Sequence, residues 1–181
     1  MITRRQCQAA KEKAAEMIRR AGIVVTEQEV AGIEVADFGL SNLDTEGAQM
    51  LTLVATDRFG AKLLVLLPNQ TLPEHWHPPV GDDPGKEETV RVIAGTMYCH
   101  VPGPETVREG SIPQGKGDCY TARQAIVMKP GDQLTLEPGR KHWLRAGEEG
   151  AVGYSFSTTV RDILDEFTDP AIERVTEVSD Q

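Results

Sequence analysis

Four side chains that could bind a metal ion fall into two short segments of the chain. His75 and His77 stand one residue apart, Glu88 follows them, and His142 lies in a second segment downstream. Alternate side chains of an extended strand share a face, so His75 and His77 point the same way. Imidazole nitrogens and a carboxylate oxygen suit a divalent ion and leave positions open for water or substrate oxygens. The residue types and their spacing therefore predict a metal site made of His75, His77, Glu88 and His142.

The hydrophobic pattern predicts that β-strands position these side chains. From about residue 30 the apolar residues recur with a period of two, and turn sequences rich in Gly, Pro, Asn and Asp separate the segments. Nine short strands with one helix ahead of them predict an all-β fold, an antiparallel β-barrel or jelly roll. The predicted strands cover residues 33–38, 50–56, 61–68, 71–77, 88–101, 124–128, 133–136, 142–145 and 151–159.

The regions outside the strands complete the predicted domain. Residues 3–21 have apolar residues at helical spacing, and Thr3 is a suitable N-cap. We expect an amphipathic helix packed on the outside of one domain that spans residues 1–181. Its helix lies in residues 1–22, its barrel in 30–160 and its tail in 161–181, with a helical turn at 162–167. The loop at 102–122 is long enough to predict a lid or a rim element.

Composition excludes several classes of function. The formal net charge of −9 argues against nucleic acid, whose phosphates need a basic surface. No apolar run has the length of a transmembrane helix, and the N-terminus lacks the apolar core of a signal peptide, so we expect a cytoplasmic protein. Cys7, Cys99 and Cys119 are widely spaced, which predicts reduced packing residues and no disulfide framework.

The first segment resembles the first motif of the cupins, a family of small metal-binding β-barrels. In that motif a glycine precedes HxH by five residues, and a glutamate is followed by six residues and a second glycine. Here His75 and His77 form the HxH, and Glu88 is followed by six residues and Gly95. Asn69 replaces the first glycine, which is acceptable because Asn also adopts positive φ. The gap between His77 and Glu88 is longer than usual in the family.

The second segment is similar to the second cupin motif. Gly131, Gly139 and His142 keep the family's spacing, whereas Pro138 is shifted by one position and Ala146 stands where many cupins have Asn. The resemblance implies a cupin-type barrel with an N-terminal helix. It does not choose among the isomerases, dioxygenases, epimerases and binding proteins that share this fold.

A narrower resemblance comes from residues beside these motifs. Lys86 two residues before Glu88, the KHW sequence at 141–143, the run FSTTVRDILDEFTDP at 156–170 and ADFGLSN at 36–42 are similar to D-lyxose ketol-isomerases. The resemblance implies a metal-dependent isomerase of free aldoses and ketoses, such as lyxose/xylulose and mannose/fructose. It implies Mn(II), with Zn(II), Fe(II), Co(II) and Ni(II) as alternatives. Because open barrels leave strand edges that need covering, we expect a homodimer.

The resemblance also assigns roles to individual side chains. Lys86 is implied as the group that moves the proton, and we expect a neighbouring dication to lower its pKa. The alternative for Lys86 is a lysine at the rim with a solvated ammonium group. Arg161, Asp162 and Asp165, together with Asp169, could bind sugar hydroxyls or could form a salt-bridged turn.

One departure from the family concerns the second proton-transfer group. The family often has an acidic residue before the FST sequence, where this chain has Ser155. A serine cannot act as a base without a partner. Glu87, Asp162 and Asp165 are the candidates to replace it. The departure leaves open a non-catalytic sugar-binding cupin, and an Fe(II) dioxygenase would use the same open metal positions.

The remaining aromatic groups near the motifs are expected to have packing roles. Trp76 and Trp143 each lie beside a ligand histidine, and strand alternation points them away from the metal. We therefore expect them in the core or at an interface. His100 is expected to be an ordinary strand or turn residue.

Overall fold

The structure, a computed structural model, describes residues 1–180. Its elements in chain order are β1 (Ile2–Thr3), α1 (Arg4–Arg20), α2 (Glu27–Ala31), β2 (Glu34–Ala36), β3 (Ala48–Ala55), β4 (Gly60–Leu66), β5 (Thr71–Trp76), β6 (Glu88–Val101), β7 (Gln124–Met128), β8 (Gln133–Leu136), β9 (His142–Ser157), β10 (Glu166–Phe167) and β11 (Val178–Ser179). Short 3₁₀ helices cover Gly117–Cys119 and Asp162–Leu164.

Most of the strands form one curled antiparallel sheet. Its order is β10-β5-β9-β4-β3-β2, while β6 pairs with β9 and also carries β7 and β8. The short strands β1 and β11 form a separate parallel pair. This confirms the predicted all-β, cupin-type architecture. Within residues 1–180, no helix is both long enough and apolar enough to cross a membrane.

The predicted N-terminal helix is confirmed as α1. Thr3 and Gln6 form a capping box that satisfies main-chain N–H groups at the start of the helix. Ala14, Ala15 and Ile18 are buried against the outer face of the sheet in one hydrophobic cluster with residues of β3, β4 and β9. The helix covers the outside of the barrel because its apolar residues recur along one side.

The predicted turn at 147–150 is wrong, because β9 runs without a break from His142 to Ser157. It bends instead beside two irregularities in its pairing with β6. Gly95 in β6 has a φ of 75°, and a Cβ atom there would clash with the main-chain oxygen of Gly150. Glycine is therefore required where the two long strands bend together. As a result, β9 borders β5 at one end and β4 at the other.

Alternation along β4 divides its side chains between two cores. Leu64 and Leu66 belong to the inner core of the barrel, whereas Leu63 and Val65 pack under α1. Lys62 shares the inward parity of Leu64, so a buried lysine faces the barrel interior.

Two predicted elements near the C-terminus and in the long loop need correction. The helical turn ends at Leu164, and the chain then forms β10, in which Phe167 pairs with His75 of β5. The loop at 102–122 is not a lid over the barrel interior. Tyr120 and Ala122 pack with Trp143 in a small buried cluster on the outer face, because this apolar side chain points away from the inner core.

Candidate active site

Three imidazole rings meet inside the barrel, as predicted from the sequence. His75 in β5 is the direct cross-strand partner of His142 in β9, and His77 follows the end of β5. The ring centroids lie 4.2 Å apart for His75 and His142 and 5.1 Å apart for His77 and His142. One ligand nitrogen from each ring lies within 4.8 Å of the other two, and all three residues are buried. We call these residues the imidazole cluster.

Main-chain carbonyl groups fix how the three rings are turned. Each Nδ1 atom lies within hydrogen-bond distance of a carbonyl oxygen, so each Nδ1 donates and each Nε2 keeps a free lone pair. The distances are 2.8 Å from His75 to Pro73, 3.1 Å from His77 to Lys86 and 2.9 Å from His142 to Arg140. The Nε2 atom of His77 is buried and has no hydrogen-bond partner among residues 1–180. The fixed orientation of the three rings and the unpartnered Nε2 atom of His77 fit a metal ion.

Burial keeps the imidazole cluster uncharged at neutral pH. It is the largest cause that lowers the pKa of His75 and His142 to about 3 and the pKa of His77 to about 4. Mutual repulsion lowers these values further. Neutral imidazole is the form that binds a metal, so the cluster is prepared for a ligand role.

Glu88, at the start of β6, places its carboxylate beside the imidazole cluster. Its Oε2 atom lies 3.3 Å from Nε2 of His77, and Ser155 donates a hydrogen bond to its Oε1 atom. Burial opposes ionisation, but Lys86 and His77 lower the pKa of Glu88 to about 2. All four predicted metal ligands are therefore brought together. Ser155 orients a carboxylate here and does not replace the expected acid.

Lys86 also faces the cavity, where three carboxylates lie near its ammonium group. Its Nζ atom lies 2.8 Å from Asp162, 3.8 Å from Glu88 and 3.9 Å from Asp165. Burial lowers the pKa of Lys86, but the three carboxylates outweigh it and raise the pKa above its ordinary value. These carboxylates keep the proton on Lys86 and act against the lowering that we expect from a neighbouring dication.

The two aspartates opposite Lys86 have opposite pKa shifts. Asp162 is buried, but its ion pairs with Lys86 and Lys62 hold its pKa well below the usual range, and Arg174 lies 3.8 Å away. Burial is the largest cause that raises the pKa of Asp165 to about 7; Lys86 and Arg174 oppose this rise, whereas repulsion from Asp162 and Glu88 adds to it. Two carboxylates with separated pKa values can take different roles in acid–base chemistry.

Some residues predicted to bind substrate lie elsewhere. Arg161 donates a hydrogen bond of 3.0 Å to Asp83 in the loop after His77, and its side chain does not line the cavity. Asp169 pairs with Lys116 at 2.8 Å on the outer side of the sheet. Glu87 is exposed. Of the residues proposed to bind sugar or replace the acid at Ser155, only Asp162 and Asp165 reach the cavity among residues 1–180.

Sequence reasoning missed three side chains that line the cavity. Lys62 reaches it from β4, Phe167 from β10 and Arg174 from the C-terminal segment. The ring of Phe167 lies 5.7 Å from that of His75. Lys62 belongs to no motif, but a lone charged residue in the apolar sequence GAKLLVL could have drawn attention to it. The cavity has a volume of about 40 Å³.

The aromatic residues beside the motifs have the predicted packing roles. Trp143 is fully buried on the outer side of β9 and stacks on His100 with 3.4 Å between ring centroids. Its indole N–H donates to the carbonyl of Ala122. Trp76 lies under the ammonium group of Lys141 at 4.8 Å. These rings therefore pack on the outer side of the strands that carry His75 and His142.

The chain is similar in sequence to curated proteins, although it matches no family model. A scan against protein-family models finds no match. The chain is 49% identical to the D-lyxose ketol-isomerase of Cohnella laeviribosi over 167 residues, which cover 92% of each chain. It is 45% identical to the D-lyxose/D-mannose isomerase of Thermosediminibacter oceani over 181 residues, 99% of this chain and 100% of the relative.

A solved structure shows the same fold at lower sequence similarity. The L-ribose isomerase of Acinetobacter sp. DL28 has a TM-score of 0.81 and 16% identity, with 98% of each chain covered. At that identity the likeness establishes the fold. The identity to the curated relatives, over nearly the whole length of both chains, establishes more: this chain belongs to the D-lyxose ketol-isomerase family.

Proposed function

We propose that the chain is a metal-dependent isomerase that interconverts free aldoses and ketoses of the lyxose/xylulose and mannose/fructose type. The observation that carries this proposal is one buried cavity holding both a neutral imidazole cluster and an ion-paired Lys86. Metal ligands and acid–base groups are the two components that such an isomerisation needs. The names of the curated relatives support the choice of sugars.

The metal would be held by the imidazole cluster and Glu88. Three nitrogens and one oxygen suit several divalent ions, and we propose Mn(II), with Zn(II), Fe(II), Co(II) or Ni(II) as substitutes. The unpartnered Nε2 atom of His77 and the anionic Glu88 fit such an ion. When bound, it supplies Lewis acidity that polarises the sugar oxygens at C1 and C2.

The side chains opposite the imidazole cluster would move the protons. In the aldose, the C2–H bond breaks, and Asp165 takes the proton and returns it to C1. Its pKa of about 7 suits a group that must both accept and donate. The hydroxyl proton passes from O2 to O1 through the charged Lys86, so atoms and charge balance. Asp162 keeps Lys86 in place and would contact a sugar hydroxyl.

The proposals for assembly and location rest on a strand edge and on the cysteines. We propose a homodimer, since β7 pairs with β6 alone within residues 1–180 and a free strand edge favours association. Cys7, Cys99 and Cys119 are free thiols, which fits a reducing compartment. We therefore propose a cytoplasmic enzyme.

The decisive experiment is an assay of the Mn(II)-loaded protein with free aldoses in D₂O. We expect conversion of D-lyxose and D-mannose to the ketose, with deuterium entering at C1 or C2 as measured by NMR. Protein stripped of metal with a chelator is the control and should be inactive. Absence of turnover with every aldose and ketose, together with oxygen uptake by the Fe(II) form, would instead support a dioxygenase.

A further inference from the structure

Asp162 and Asp165, the carboxylates opposite the imidazole cluster, are carried by a short segment that includes the edge strand β10. We call residues 159–169 the strap; it supplies Asp162, Asp165 and Phe167 to the cavity lining. The position of the strap therefore sets how closely its carboxylates approach the imidazole cluster across the cavity.

Residues near the C-terminal end of the strap attach it to β5, the strand that carries His75. Its pairing with β5 covers two residues, Glu166 and Phe167. Beyond them, the N–H group of Thr168 donates to the carbonyl of Glu74, and its hydroxyl donates to the carboxylate of Glu74 at 2.6 Å. Glu74 directly precedes His75, so this attachment point lies next to a metal ligand.

Glu74 is an unusual residue for this position in β5. It is 1% exposed, and its nearest cation is Lys141 at 3.9 Å. A buried carboxylate costs free energy unless hydrogen bonds compensate. The compensation comes from Thr168 and from the outer loop, where Thr121 and the N–H of Ala122 donate at 2.7 and 2.6 Å. Packing alone would favour an apolar side chain at this position. The carboxylate therefore contributes through the groups that it binds.

We propose that Glu74 is a positioning residue, which sets the distance between the carboxylates of the strap and the imidazole cluster through its hydrogen bond with Thr168. The proposal rests on the proposed function, because it assigns the strap to sugar binding and proton transfer. Glu74 acts from the outer face of β5 and is not one of the residues that line the cavity.

Two threonines provide a matched pair of variants. Thr168 and Thr121 donate to the same Oε1 atom of Glu74 at nearly the same distance, but one belongs to the strap and the other to the outer loop. Thr168→Val and Thr121→Val each remove one such hydrogen bond with little change in volume, and Thr168→Val also removes the acceptor of a 3.2 Å hydrogen bond from Lys141. Thr168→Ser keeps the hydroxyl and serves as the rescue variant, and it also shows whether any loss comes from misfolding.

The readouts are hydrogen–deuterium exchange of residues 159–169, Mn(II) affinity, KM and kcat. We expect Thr168→Val to raise exchange in the strap and KM by about ten-fold, the size of one hydrogen bond to a charged group. Mn(II) affinity should stay unchanged. Thr121→Val should raise exchange in residues 116–122 and leave KM and kcat as they are. Thr168→Ser should restore the values of the unmodified protein.

Three outcomes would overturn the role of Glu74: an equal rise of KM in both variants, no change in either, or faster strap exchange with unchanged KM. The exchange measurement needs no turnover. If the unmodified protein isomerises no sugar, the proposed function fails, whereas the exchange data still show whether Glu74 holds the strap.

Discussion

The two faces of β5 carry buried polar groups that are satisfied in opposite ways. On the inner side, directly after the end of β5, the Nε2 atom of His77 has no hydrogen-bond partner within residues 1–180. On the outer face, the carboxylate of Glu74 accepts three hydrogen bonds of 2.6–2.7 Å. His75 and Glu74 are adjacent in sequence and similarly buried, with 5% and 1% exposure. Burial alone therefore does not distinguish a ligand site from a structural network.

The two sets of buried polar atoms differ in whether their hydrogen-bonding capacity is already satisfied. A satisfied buried network stabilises one conformation, whereas oriented but unsatisfied atoms are ready for an external ligand. The inner face should therefore respond to metal and pH, and the outer face mainly to changes in stability. The following predictions test that distinction between the two faces.

The largest expected effect is from His142→Ala, which removes one inner ligand. Loss of a residue that hydrogen-bonds to a metal ligand lowers metal affinity by about 10–100-fold. Loss of the ligand itself should therefore lower it further. We expect turnover below detection and a low metal content by elemental analysis. Undiminished metal binding would remove His142 from the proposed ligand set.

A smaller effect is expected from Lys86→Met, which keeps the side-chain length but removes the charge. Asp162 retains its ion pair with Lys62, so the fold should persist. We expect kcat to fall by about 100- to 10,000-fold, the contribution of a general acid or base. Metal content, measured in parallel, should be unchanged. Near-normal kcat would contradict the role given to Lys86.

The metal-free protein should lose stability as the pH falls below about 6.5, the usual pKa of histidine. The folded imidazole cluster has pKa values of about 3–4, so below pH 6.5 the unfolded chain takes up protons that the folded chain does not. The free energy of unfolding should fall by up to about 1.4 kcal/mol per pH unit for each imidazole.

Two other groups change how steeply the free energy of unfolding varies with pH. His100 has a pKa lowered to about 4 and adds to it, while Asp165, with its pKa raised to about 7, acts in the opposite sense. Urea unfolding of the metal-free protein between pH 6.5 and 4.5 measures the slope. His142→Gln should reduce this slope by about the contribution of one imidazole. A free energy of unfolding that does not change over this range would disprove the neutral cluster.

The smallest effect is expected on the outer face, from Tyr120→Phe. The hydroxyl of Tyr120 donates to the buried Glu46 at 2.7 Å. Its removal should lower the free energy of unfolding by about 1.5–3 kcal/mol, the range for a hydrogen bond to a charged group. Metal content and KM should not change. A loss of metal affinity in this variant would show that the two faces are not independent.

Local patterns in the sequence predicted much of this arrangement. Strand periodicity predicted β6, β7 and β8 at their observed bounds and placed His75 and His77 on one face. It misread β9 as two strands, since glycines that usually mark a turn here allow a bend. A strong local signal was therefore reliable for where strands lie, but less so for where they end.

Contacts between distant segments could not be predicted in this way. Lys62 reaches the cavity because it pairs in register with Ser155, which lies far away in sequence. Phe167 does so because a two-residue strand pairs with β5, a length too short for any periodicity. The charge on Lys86 depends on Asp162 and Asp165, whose approach is decided by the tertiary fold.

The strap also has a consequence for how this family could diversify. The proposed metal ligands lie on β5, β6 and β9 or, for His77, directly after β5, whereas Asp162 and Asp165 lie in a short segment joined to β5 by two paired residues and Thr168. Mutations in this segment can reshape the surface that faces the substrate while the metal ligands and their carbonyl partners stay in place. Sugar preference can then evolve, or be engineered by segment exchange, separately from the metal chemistry.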